Sequence, residues 1–108
     1  MPRLKITGLE LEKVKEISKG MVDDLQQIID CPRDYFVLEL INSNFVMDGE
    51  VVQTYPFVEV AWFDRGQEIQ DKAAKAITKH IHGAGCPNVD VIFTVLQENK
   101  YYENGEHF

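Results

Sequence analysis

A chain of 108 residues, 44% hydrophobic and 27% charged, has the composition of one soluble globular domain, 1–108, with no linker to divide it. Its formal net charge of −7 works against partners held by neutralised phosphates or anionic headgroups, so neither nucleic acid nor a membrane surface is expected as a partner. The start runs straight into an alternating stretch, no apolar run approaches the roughly 18 residues of a membrane span, and a cytoplasmic protein is expected.

Residues 2–7 alternate Leu4 and Ile6 against Arg3, Lys5 and Thr7, the pattern of a half-buried strand, which Gly8 stops. From about 9 to 30, Val14, Ile17, Met21, Leu25 and Ile28 recur at steps of three and four, along one face of a helix. Pro32 disfavours helix at Cys31 and ends it there. Residues 35–41 are apolar at nearly every position and predict a strand buried on both faces. A small hairpin follows at about 44–53, around Asp48-Gly49, a dipeptide favoured in type I′ turns. The strand at about 57–63 sets Phe57, Glu59, Ala61 and Phe63 on one side and Val58, Val60 and Trp62 on the other. A helix from about 66 to 82 carries Ile69, Ala73, Ala76, Ile77 and Ile81 as its stripe, with Gly83 and Gly85 at its stop. A strand at 89–96 and a second hairpin, 101–108 around Asn104-Gly105, complete the chain.

Laid on itself at an offset of 55 residues, the sequence matches Cys31-Pro32 to Cys86-Pro87, Phe36-Val37-Leu38 to Val91-Ile92-Phe93, and Val14, Met21 and Val22 to Ile69, Ala76 and Ile77. Agreement across a helix and the strand after it indicates a repeated βαβ unit, with copies at about 2–41 and 57–96. The fold class expected is α+β: a tandem βαβ pseudo-repeat with a four-stranded mixed sheet and two helices on one face. The other face lacks cover, and neither side of the 57–63 strand is convincingly polar. That pattern predicts an oligomer whose subunits turn their sheets toward one another, with hairpins pairing across subunits. Cys31 and Cys86 fall at opposite corners of a pseudo-symmetric pair and should be unpaired thiols. His80 and His82, two apart on a helix, point roughly 200° from each other and do not form a metal site.

Pro2 after the initiator Met, the doubled βαβ unit, the Cys31-Pro32-Arg33-Asp34-Tyr35 corner and the Tyr101-Tyr102-Glu103-Asn104-Gly105 ending together resemble the tautomerase superfamily that includes macrophage migration inhibitory factor. The length matches its fused members. The stretches 55–68 and 101–108 look like an uncharacterised bacterial branch known only as a domain of unknown function. The resemblance implies a cofactor-free keto–enol tautomerase, an isomerase, assembled as a homotrimer and acting on a small carbonyl (2-oxo) acid. Pro2 would be the catalytic base. With Met1 attached its nitrogen is an amide; freed, it is an α-amine with an ordinary pKa of about 7.7–8.0, which burial or a nearby cation lowers toward neutrality.

The lysine that many members place before the proline after the first helix corresponds here to Cys31, which supplies no fixed charge. Arg33 could replace it if its side chain turns inward. Arg65 is similar to the arginine in a Gly-Arg-Ser turn of hydroxymuconate-isomerase-like members, and would meet an anion where the third strand gives way to the second helix. Beside it, Asp64 is a candidate cap. Glu59, a carboxylate in an apolar strand, and Tyr101 complete the candidate substrate-binding set, and no metal or cofactor is implied. Two alternatives stand beside this reading: a non-catalytic trimeric module binding a small molecule or a protein, and a ferredoxin-like regulatory domain. Strand pairing separates the last from the others.

Overall fold

The computed structural model describes residues 2–108. In chain order it contains β1 (Arg3–Thr7), α1 (Leu11–Ile29), β2 (Val37–Leu40), β3 (Phe45–Met47), β4 (Glu50–Val52), β5 (Phe57–Trp62), α2 (Gln67–Gly83), β6 (Asp90–Val95), β7 (Tyr102–Glu103) and β8 (Glu106–His107), with single 3₁₀ turns at Arg33–Tyr35 and Glu98–Lys100. The main sheet has the order β2-β1-β5-β6. Each βαβ unit pairs its own two strands in parallel, and the units meet through an antiparallel β1–β5 ladder. A ferredoxin-like sheet would pair its outer strands antiparallel to their neighbours, so that arrangement is excluded.

Alternation in the sequence sets which side chains enter the core. Leu4 and Ile6 of β1 and Val58, Val60 and Trp62 of β5 are all buried against the helices, where Met21, Leu25, Ile77 and Ile81 meet them. The odd-numbered positions of these strands line the uncovered face. There Arg3 reaches Glu39 at 3.3 Å, Thr94 Oγ1 donates to Glu59 at 2.9 Å, and Lys5 lies opposite Glu59 in the ladder. Apolar Phe57 and Ile92 share that face with these charges and are exposed.

The repeat extends to the strand ends. Val37 N–H donates to the Pro2 carbonyl and Asp90 N–H to the Pro56 carbonyl, both at 3.1 Å, so each copy opens on a buried proline bonded to the head of its second strand. The apolar run at 35–41 does not form one strand buried on both faces. It begins with a 3₁₀ turn ending at Tyr35, which is exposed, and β2 is only half-buried because it is an edge strand with one uncovered face. Both hairpins have the turns their dipeptides predict: Asp48 and Gly49 have φ of 52° and 79°, Asn104 and Gly105 of 53° and 88°, the positive pair of a type I′ turn. Neither hairpin joins the main sheet, and Val46, Met47 and Val51 on the first are more than 60% exposed. Cys31 and Cys86 are unpaired.

The helices are joined by a polar contact as well as by packing. His80 Nε2 lies 2.7 Å from Asp24 Oδ2, and its ring sits so close to Gly20 that a Cβ there would come within 2.9 Å of it. This hydrogen bond, with Lys79 near by, holds the Asp24 carboxyl below its usual range despite partial desolvation, and Lys19 and Arg33 do the same for Asp23. A carboxylate whose folded value is depressed stabilises the fold above its unfolded value of about 3.9 and loses that contribution as pH falls below it. Thermal melts between pH 6 and pH 3 should therefore show a falling midpoint below about pH 4, with a shallower fall in Asp24→Asn. An equally steep fall in that variant would contradict the assignment.

Candidate active site

Four chain segments converge at one end of the sheet. β1 and β2 begin there and β5 and β6 end there, so Pro2, the Cys31–Tyr35 corner, the β5–α2 connection and the segment after β6 are neighbours. Pro2 heads β1 with its side chain fully buried. The β1–β5 ladder pairs Arg3 with Ala61, and one step further places Pro2 opposite Trp62, both on the helix-facing side. Whether Met1 is removed lies outside the described residues.

Arg65 is brought to the same end by the turn that follows β5. Gly66 has φ 88° and ψ 162°, a conformation essentially restricted to glycine, and its N–H donates to Asp64 Oδ1 at 2.9 Å. Asp64 thus closes a local turn two residues long, while the first residues of α2 have no side-chain cap. This turn folds Arg65 back onto the strand end. Its Nη1 donates to the Phe63 carbonyl at 2.6 Å, and its guanidinium carbon lies 5.4 Å from the centre of the Trp62 ring. Arg65 is half-buried, with most of its donors left for another acceptor.

Cys31 faces the same region. Burial pushes its thiol up and the Arg65 guanidinium pulls the other way, so the group is a neutral donor within the field of that cation. Tyr101 packs on Phe63, with ring centres 5.4 Å apart, and Phe108 closes on both, at 4.9 Å from Tyr101 and 5.4 Å from Phe63. The C-terminal hairpin is thereby fastened to the end of β5.

Two of the candidate residues lie apart from this group. Arg33 does not turn inward: its Nη1 donates to Asp23 Oδ1 at 2.6 Å, back along α1. Glu59 sits in the middle of β5 on the uncovered face, bonded to Thr94. Of the candidates, Pro2, Arg65 and Cys31 share this end of the sheet, and Tyr101 is held at the same end through Phe63. Trp62 belongs with them, although alternation alone marks it as a core residue; its place as the last residue of a strand, three before an arginine, is the only sequence signal of more.

The opposite end of the sheet repeats the backbone without the chemistry. Pro56, its counterpart of Pro2, is internal to the chain and has an amide nitrogen. The connection after β1, Gly8-Leu9-Glu10, carries a carboxylate where the other end carries Arg65. Among the described residues, only one end of the sheet carries this combination of residues.

The sequence family described as a domain of unknown function (DUF1904) matches residues 1–107. No curated protein matches the chain. Among solved structures, a domain of unknown function (DUF1904) from Sebaldella termitidis ATCC 33386 is 39% identical over 100% of both chains, with a TM-score of 0.93. A protein of unknown function from Vibrio cholerae O1 biovar eltor is 33% identical over 99% of this chain and 87% of its own, with a TM-score of 0.88. Pt0534, described as inactivated by 2-oxo-3-pentynoate, is 19% identical over 98% and 94%, with a TM-score of 0.78. The fold, and only the fold, is shared with a macrophage migration inhibitory factor-like protein from Entamoeba histolytica, 22% identical over 99% of this chain and 98% of its own with a TM-score of 0.65, and with fused 4-OT, described as an asymmetric trimer, 14% identical over 97% and 94% with a TM-score of 0.79.

Proposed function

Since this chain belongs to the family described as a domain of unknown function (DUF1904) and has the tautomerase fold, we propose that it is a cofactor-free keto–enol tautomerase of small 2-oxo acids. What supports this reading is a buried Pro2 at the head of β1 and, at the same end of the sheet, a half-buried Arg65 whose guanidinium carbon lies 5.4 Å from the centre of the Trp62 ring. Once Met1 is removed, Pro2 presents a secondary amine in a site of low polarity. Burial and the Arg65 charge both favour its neutral form, which makes it a base at neutral pH. Acting on the enol, the nitrogen takes the hydroxyl proton, the electron pair moves through the enolate, and the same proton is returned at C3. Arg65 holds the carboxylate and offsets the negative charge that develops on the enolate oxygen. Cys31, in place of a lysine, contributes a neutral thiol; Tyr101 forms part of the wall.

The test is ketonisation of phenylenolpyruvate by protein that begins at Pro2. Arg65→Ala removes a charge-assisted hydrogen bond worth about 1.5–3 kcal/mol, so kcat/KM should fall about ten- to a hundredfold. No activity in the wild type with a panel of 2-oxo acids would favour the second reading, a non-catalytic module binding the same acids, for which the replacement of a lysine by Cys31 is the supporting observation.

The assembly proposed with this function is a homotrimer built through the uncovered sheet face and the two hairpins. Isolated two-stranded hairpins are marginal in water, and the exposed Val46, Met47 and Val51 on the first gain cover only from another chain. Light scattering should give three times the chain mass. Removal of residues 101–108 uncovers Phe63 and should lower that mass or leave an aggregating chain. A monodisperse full-length monomer would refute the assembly.

A further inference from the structure

We infer that Trp62 is a ligand-binding residue of this site, whose ring carries the Arg65 guanidinium beside Pro2 and whose indole N–H is held for the 2-oxo oxygen of the bound acid. The inference rests on the acid-binding reading just given and deepens it. Trp62 is fully buried, yet its Nε1 has no hydrogen-bond partner among the described residues. A buried indole N–H ordinarily finds an acceptor, because leaving it unmade costs stability without return. Phenylalanine would fill much of the same space against Phe93, whose ring centre is 4.9 Å away, and would still stack under a guanidinium without the orphaned donor. The repeat gives a second reason. The corresponding connection after β1, Gly8-Leu9-Glu10, holds neither an aromatic ring nor a cation, so the Trp62–Arg65 pair is not a requirement of the βαβ unit.

Extending the β1–β5 register by one residue sets Trp62 opposite Pro2, and Arg65 lies over its ring, so an acid whose carboxylate meets the guanidinium brings its 2-oxo oxygen toward the indole. A donor in an enclosed, weakly polar place binds such an oxygen more strongly than water does. Because the N–H is enclosed, the oxygen reaches it only as the ring shifts, and that shift is observable. The consequence is selectivity: a 2-oxo acid engages both donors, while a plain carboxylic acid of the same length engages Arg65 alone.

Trp62 is the chain's only tryptophan, so ¹⁵N–¹H spectra of protein beginning at Pro2 contain one indole cross-peak. Titration with 2-oxobutanoate should move both the Gly66 backbone amide and the indole proton, the latter downfield; butanoate should move Gly66 and leave the indole in place. In Trp62→Phe the affinity for 2-oxobutanoate should fall about tenfold, to that for butanoate, with little change in thermal midpoint. An indole that stays in place while 2-oxobutanoate saturates the Gly66 shift overturns the role of Trp62 and leaves the acid site standing. Failure of either acid to move Gly66 overturns the acid site and this inference together. The wild-type titration decides the matter even if Trp62→Phe does not fold.

Discussion

Protein that retains Met1 should ketonise phenylenolpyruvate about a hundred- to ten-thousandfold more slowly than protein beginning at Pro2, the range that general acid–base catalysis by a positioned group contributes. The difference between the two proteins is one acyl group. It converts a basic secondary amine into an amide whose lone pair is delocalised into the carbonyl, while the strand, the Arg65 turn and the aromatic cluster are built from residues beyond it. Pro2→Ala tests the same nitrogen differently, since it leaves a primary amine with more freedom about its Cα. Its rate should fall between the other two. Equal rates in all three proteins would show that this nitrogen takes no part.

The largest expected loss of stability comes from Trp62→Ala. Trp62 is enclosed between the sheet and the helices, packs on Phe93, and supports Arg65. Truncating a buried aromatic side chain to alanine costs about 3–5 kcal/mol, because the transfer free energy of the ring is lost and a cavity remains. Net stabilities of domains are about 5–15 kcal/mol, so a third or more of the total is at stake. Urea unfolding should report a fall of that order in Trp62→Ala and far less in Trp62→Phe, which keeps a ring in place. A change below about 1 kcal/mol in the alanine variant would mean that the corner repacks.

Much of this architecture is legible in the sequence because its signals are local and periodic. The three- and four-residue spacing from Val14 to Leu25 defines the face of α1, and the alternation of Leu4 and Ile6 against lysine and arginine defines β1. Asp48-Gly49 and Asn104-Gly105 specify their turns through the residues that tolerate positive φ. The repeat then constrains how the pieces combine. What the sequence does not carry is side-chain direction in the connections. Arg33 and Arg65 are both arginines beside helix ends, yet Arg33 is drawn out to Asp23 and Arg65 is folded in over Trp62. Arg65 is held by the Phe63 carbonyl and the Trp62 ring, and Arg33 by an aspartate ten residues before it on α1. Edge position is equally invisible: the apolar run of β2 reads as doubly buried, and only the strand order reveals its uncovered face.

The central claim is that Pro2 can be a neutral base at physiological pH, and it is most directly tested by titrating that nitrogen. With ¹⁵N-labelled protein beginning at Pro2, the chemical shift of the proline nitrogen followed from pH 4 to pH 10 gives its pKa without reference to any substrate. Burial of Pro2 and the positive charge of Arg65 at the same end of the sheet would both disfavour the protonated form, so the midpoint should lie below the ordinary 7.7–8.0 of an α-amine and rise toward it in Arg65→Ala. A midpoint at or above about 8 in the wild type, unchanged in Arg65→Ala, would contradict the account.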